Sequence, residues 1–195
     1  PHKGHFSVKQ STFPFDRFLQ DNILLGPKMR STGETMGIDF DKETAILKSF
    51  QGNYPRLGEV GKILMSLADP TKEAILPYLK SLHKMGFSFV ATSGTAEYIK
   101  KQGIPCEIVS KIDESGNGIS IIDILKDESM KMVFNTPQNQ GQSQSDGEHI
   151  RNSAISYAIP CFTRIENIKA IIESLVGTHN TSIQPISLQE VFEAK

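Results

Sequence analysis

The chain has 195 residues, 38% hydrophobic and 22% charged, the profile of a globular sequence long enough to bury a core unaided. Its 21 basic and 22 acidic side chains leave a formal net charge of -1 without any basic block, which argues against nucleic acid as a partner. Two cysteines cannot frame a disulfide scaffold, no apolar run approaches the ~20 residues of a membrane span, and the opening residues carry no signal pattern; the expectation is a cytoplasmic protein with no membrane partner.

In chain order, Phe6 to Lys9 and Thr12 to Phe15 read as short β runs. Gly26-Pro27, Gly33 and Gly37 then punctuate a stretch without helical or alternating period. Residues 39–50 suit a short helix capped by Asp39 or Asp41, with Ala45, Ile46 and Phe50 on one face. Residues 1–52 are too poor in apolar side chains to close a core alone and read as an edge piece with a linker. Residues 53–195 form the second unit.

There the pattern turns regular. A strand is expected over 61–67, then a helix after Asp69-Pro70 with Ile75, Leu79 and Leu82 at three-four spacing, stopped by Gly86. Further strands are expected over 87–92, 105–109, 130–134 and 159–162. Helices are expected over 96–102, 119–125, 149–158 and 165–176, with 135–147 as a polar loop and 180–195 as a tail. Cys106 and Cys161 each open one of these apolar runs and read as buried small hydrophobes. Short strands alternating with helices predict an α/β fold: a doubly wound, five-stranded, mainly parallel sheet covered on both faces.

Ligands of such sheets bind beyond the carboxyl ends of the strands, near helix N-termini. The residues at those positions are Asp69 to Lys72, then Thr92-Ser93-Gly94-Thr95, Ser110-Lys111, Asn135-Thr136 and Ser145-Asp146-Gly147. Thr92 to Thr95 can cradle an anion with hydroxyls and successive backbone N–H groups, while Lys72 and Lys111 supply positive charge. The same four residues also suit a plain helix start, and lysines on such surfaces are usually solvated. What favours a phosphate site is their shared edge. His83, His149 and His179 read as surface residues, and no catalytic motif appears.

Two stretches carry a family resemblance. Leu24 to Gly37, preceded by Phe6-Ser7-Val8-Lys9 and Phe13-Pro14-Phe15, resembles the closing segment of the second ATP-grasp half of carbamoyl phosphate synthetase large subunits. From about Glu59 the chain is similar to the methylglyoxal-synthase-like domain that follows in that subunit. The matching marks are Lys72, Ala91 to Thr95, Val109-Ser110-Lys111, Asn135-Thr136-Pro137, Ser145-Asp146-Gly147 and Ile150-Arg151.

The resemblance implies an allosteric domain that binds a nucleotide monophosphate such as UMP or IMP, and ornithine as a second effector. Lys72, Thr92, Ser93, Gly94, Thr95, Lys111, Asn135 and Thr136 would hold the effector phosphate and sugar, Asp146 would close the site, and Thr163 would be an ornithine contact. The implied partners are the rest of the large subunit, the glutaminase small subunit and further copies joined through this domain. No cofactor is implied for the fragment and no catalysis of its own; the parent ligase, which feeds pyrimidine and arginine synthesis, would use ATP with Mg or Mn. Pro137 stands where a second threonine is common, and Asn152 where a second arginine is. Methylglyoxal synthase, which shares the fold, needs a catalytic aspartate that is absent from Ser115-Gly116-Asn117-Gly118 and a histidine where this chain has Ala68. A purely structural oligomerisation module is the other alternative.

Overall fold

The computed structural model describes residues 4–12, 33–109, 121–137, 142–179 and 181–193, with 142–146 as backbone only. The described part of the N-terminal unit is a two-stranded antiparallel ribbon of β1 (Phe6–Thr12) and β2 (Gly33–Asp39), paired from Phe6–Asp39 to Thr12–Gly33. Helix α1 (Lys42–Gln51) lies across it. Gly37 lets the two backbones meet, because a Cβ there would sit 2.0 Å from the Ala45 carbonyl oxygen. Thr35 Oγ1 donates to the Ser49 carbonyl at 2.7 Å, and Lys48 Nζ reaches Asp39 Oδ2 at 2.6 Å.

Two expectations for this region change. Asp41 is the N-cap but makes no side-chain capping bond, and the Asp39 carboxylate instead pairs with Lys48 and accepts from the Asp41 N–H. The buried face of α1 carries Thr44, Ala45, Leu47 and Ser49, whereas Ile46 and Phe50 are half-buried. Helix α1 is covered from two sides, by the ribbon and by a later helix, so one apolar stripe does not describe it.

The main sheet contains five parallel strands: β3 (Lys62–Ser66), β4 (Ser88–Thr92), β5 (Glu107–Val109), β6 (Met130–Asn135) and β7 (Cys161–Phe162), in the order β5-β4-β3-β6-β7. Side chains of neighbouring residues point to opposite faces, and the two faces are separately filled. Ile63, Met65, Phe89, Ala91, Met132 and Phe134 pack under α2 (Asp69–Lys84), α3 (Ser93–Lys101) and α6 (Ile165–Gly177). Leu64, Val90, Met130 and Val133 pack under α4 (Ile121–Leu125) and α5 (Gln142–Ser156). This is the expected α/β architecture, with helices on both faces.

Helices α2 and α3 end just before Gly86 and Gly103, whose φ values of +94° and +78° suit glycine and halt the helix at the predicted places. Cys106 is buried and Cys161 is half-buried. The loop expected over 135–147 is shorter than predicted, since α5 begins at Gln142 inside its Gln/Ser/Gly run. The tail contains α7 (Leu188–Glu193), anchored by the buried Val191. No helix among the described residues is long and apolar enough to cross a membrane.

Candidate functional site

The strand order places the switch point between β3 and β6: from β3 the chain winds outward through β4 to β5, then returns to the other side of β3. Helices after β3 and β6 leave toward opposite faces there, the arrangement at which open α/β sheets form a ligand crevice beyond the carboxyl ends of the strands. Their register brings Ser66 beside Asn135, and the neighbouring pair Met65–Ala91 sets Thr92 level with them.

Three polar links hold this edge together. The Leu67 N–H donates to Thr95 Oγ1 at 3.1 Å, and the Ala68 N–H to Thr136 Oγ1 at 2.9 Å. The Thr136 N–H donates to the Ser66 carbonyl at 3.1 Å. A threonine hydroxyl that accepts from a backbone N–H still has its own proton to give. Thr95 and Thr136 are both buried, so each offers a fixed donor at the crevice. Thr92 Oγ1 lies 3.5 Å from Thr95 Oγ1.

Positive charge approaches from two helices. Lys72, one turn into α2, points its ammonium at α3, where a Cβ on Gly94 would lie 3.8 Å from Nζ. Its side chain is 11% exposed and its ammonium is held by Asp69 Oδ1 at 2.6 Å. Arg151 on α5 is 1% exposed, and its Nη1 donates to Asn135 Oδ1 at 2.7 Å. Its Nε and Nη2 find no partner among the described residues. Burial lowers the pKa of this guanidinium from its ordinary value, with nearby Glu148 opposing that shift, yet arginine stays a cation. Gly147 keeps the contact open, because a Cβ there would stand 3.0 Å from Arg151 Nη1 and 3.4 Å from Asn135 Oδ1.

The expected site residues are thereby located. Lys72, Thr92, Gly94, Thr95, Asn135 and Thr136 gather around the exits of β3, β4 and β6, and exposed Ser93 opens α3 beside them. Thr163 lies one residue past the Phe134–Phe162 pair, level with Asn135 on the outer side of β6. Lys111 lies outside the described residues, and Asp146 falls among those described by backbone only. His83, His149 and His179 are exposed, as expected.

Arg151 is the residue that sequence reasoning passed over as a ligand. The available signal was positional: Gly147, Ile150, Arg151 and Ala154 share one helical face, so an arginine stood on the apolar side of α5. Guanidinium, hydroxyl and ammonium groups set along one sheet edge are the donor types that hold an anion with several acceptor oxygens. A cavity of about 330 Å³ opens at the other end of the sheet, lined by Leu47, Leu57, Val60, Met85, Leu175 and Ile183 among others. It gathers mostly apolar side chains and has no comparable cluster of cations.

A family model described as the MGS-like domain matches residues 74–163. The chain is 35% identical over 189 residues to the arginine-specific, chloroplastic carbamoyl phosphate synthase large chain of Oryza sativa subsp. japonica, a match covering 97% of this chain and 16% of that protein. It is 37% identical over 194 residues to the carbamoyl phosphate synthase large chain of Mycobacterium sp. (strain JLS), covering 95% and 17%. The C-terminal section of the Methanocaldococcus jannaschii large chain is 35% identical over 187 residues, covering 96% and 30%. The chain thus spans about a sixth of the length of the full-length relatives. It carries an MGS-like domain and is related along nearly its whole length to a portion of the carbamoyl phosphate synthase large chain.

Proposed function

We propose that the strand-end crevice binds the phosphate of a nucleoside monophosphate effector, and that the chain serves as the allosteric region of a carbamoyl phosphate synthase large chain. The observation that carries this reading is Arg151: a buried guanidinium bonded to Asn135 at the switch point, whose Nε and Nη2 have no partner among the described residues. Buried polar groups are ordinarily satisfied, so an orphan of this kind marks a place where a ligand completes the set.

Binding there would bridge β3, β4, α2 and α5, and it would regulate only to the extent that it favours one state of the parent enzyme over another, typically by ~1–3 kcal/mol. On the same reading, the ribbon and α1 are the link to the synthetic part of the large chain. Thr163 would serve ornithine, and a glutaminase subunit and ATP with Mg or Mn would belong to the whole enzyme. Calorimetric titration of UMP, IMP and ornithine into wild type and into Lys72→Ala and Thr95→Ala tests the reading. A nucleotide should bind wild type and bind each variant at least tenfold more weakly, a loss of ~1.4 kcal/mol or more. Equal affinities in all three proteins would remove the site. Failure of all three effectors to bind would favour an oligomerisation module.

A further inference from the structure

Lys72 arrives at the crevice already occupied. Its ammonium sits against Asp69 Oδ1 at 2.6 Å, and the two members of the pair differ sharply in environment. The lysine side chain is 11% exposed, folded over α3 beside Gly94, while the Asp69 side chain is 82% exposed. Asp69 and Lys72 both belong to the first turn of α2, so the carboxylate is tethered and acts as an anion at high local concentration.

We propose that Asp69 is a built-in competitor for the phosphate site: its carboxylate occupies Lys72 when the site is empty, and an incoming anion must displace it. This rests on the phosphate-site reading above. Displacement asks little of Asp69, which can turn its carboxylate fully into water. The ammonium is mostly covered and stays where it is. An ion with one diffuse charge gains little by exchanging places with a carboxylate already in contact. A phosphate dianion gains more, because it attracts the same ammonium more strongly and engages the Arg151, Thr95 and Thr136 donors at once. Asp69 therefore sets a threshold that admits phosphate groups and turns away weaker anions.

The test is a double-mutant cycle read by calorimetric titration of inorganic phosphate into wild type, Asp69→Asn, Lys72→Ala and the double variant. Asp69→Asn keeps the size and leaves an exposed helix start intact, so its unfolding midpoint serves as the folding control. Exposed ion pairs are weak, so Asp69→Asn should bind phosphate about two- to fivefold more tightly than wild type. In the Lys72→Ala background the same change should give no lysine-dependent gain, leaving only the smaller effect of removing a nearby negative charge. Chloride should compete more effectively against phosphate in Asp69→Asn than in wild type. Unchanged or weaker phosphate binding by Asp69→Asn, with Lys72→Ala still impaired, overturns the competitor and leaves the site standing, since Asp69 would then be positioning the lysine. An equal gain in both backgrounds also overturns it. Wild type that takes up no phosphate overturns the site and the competitor together.

Discussion

Replacing Arg151 by methionine should make the empty protein more stable and deaf to phosphate. Arg151 is 1% exposed and has a single described bond, to Asn135 Oδ1, with Nε and Nη2 unpartnered among the described residues. Two buried donors left unmade cost ~1–3 kcal/mol each, and the buried charge adds a desolvation penalty. Methionine fills much of the same channel with a flexible apolar chain. Against these gains stands one loss, the donor to Asn135 Oδ1, at ~1–3 kcal/mol. The balance favours the variant by ~1–3 kcal/mol, consistent with buried ion groups exchanged for hydrophobes. For a chain of this size that raises the melting midpoint by ~2–12 °C.

The assay is a pair of urea or thermal melts, with and without inorganic phosphate. Wild type should gain stability with phosphate by mass action, ~2.7 kcal/mol at a hundred times Kd, and the variant almost none. The two proteins should exchange rank as phosphate is added. A variant that loses more than ~2 kcal/mol in phosphate-free buffer, while its response to phosphate matches wild type, would refute the reasoning: Arg151 would then be a structural group whose removal strands its neighbours.

The same structure sets four further outcomes. Gly37→Ala forces a Cβ to within 2.0 Å of the Ala45 carbonyl oxygen and 2.6 Å of the Ser49 nitrogen, backbone atoms that cannot yield, so it should cost at least ~1–3 kcal/mol in a urea titration. Thr95→Val keeps the shape but leaves the buried Leu67 N–H without its acceptor, a loss of ~1–3 kcal/mol together with weaker phosphate binding by calorimetry. Asp127 accepts from the Ser129 N–H and from Lys62, which bring its pKa down to about 2. Its stabilising effect is complete above the ordinary aspartate range and disappears as pH falls through about 2, so Asp127→Asn should flatten the acid limb of a stability–pH curve. Burial pushes the Cys106 thiol up to about 11, so it should react slowly with an alkylating reagent at pH 8 until the fold is opened by denaturant, and more slowly than Cys161, whose residue is half-buried.

The α/β sheet was legible because its strands are short apolar runs between helix signals, a pattern set by local chemistry. Ile75, Leu79 and Leu82 face the core as their spacing predicts, and Gly86 and Gly103 mark helix ends. Helix α5 was less legible at its start. Among its first residues Ser143, Ser145, Asp146 and Gly147 have poor helix propensity, so the length of α5 owes more to the packing of Ile150 and Ala154 than to local preference. The ribbon was half visible: Phe6 to Lys9 reads as a β run and lies within the strand Phe6–Thr12, and residues 13–15 of the second expected run lie outside the described residues. The strand Gly33–Asp39 falls in a stretch that shows no period, because its pairing joins segments far apart in sequence. At the candidate site, Thr92, Thr95, Asn135 and Thr136 could be found by looking at the carboxyl end of each strand. Arg151 could not, because arginine is rarely buried and only its helical neighbours reveal that it points inward.

The contact between α1 and α6 bears on how the chain is made. The ribbon and α1 leave the ribosome ahead of the main sheet, but the helix that covers Leu47 emerges only after the five strands of that sheet have been synthesised. At ~5–20 residues per second that interval is on the order of ten seconds. During it α1 exposes an apolar side whose permanent cover does not yet exist. Nascent chains stalled before α6 should therefore be the ones that chaperones hold, and adding α6 should release them.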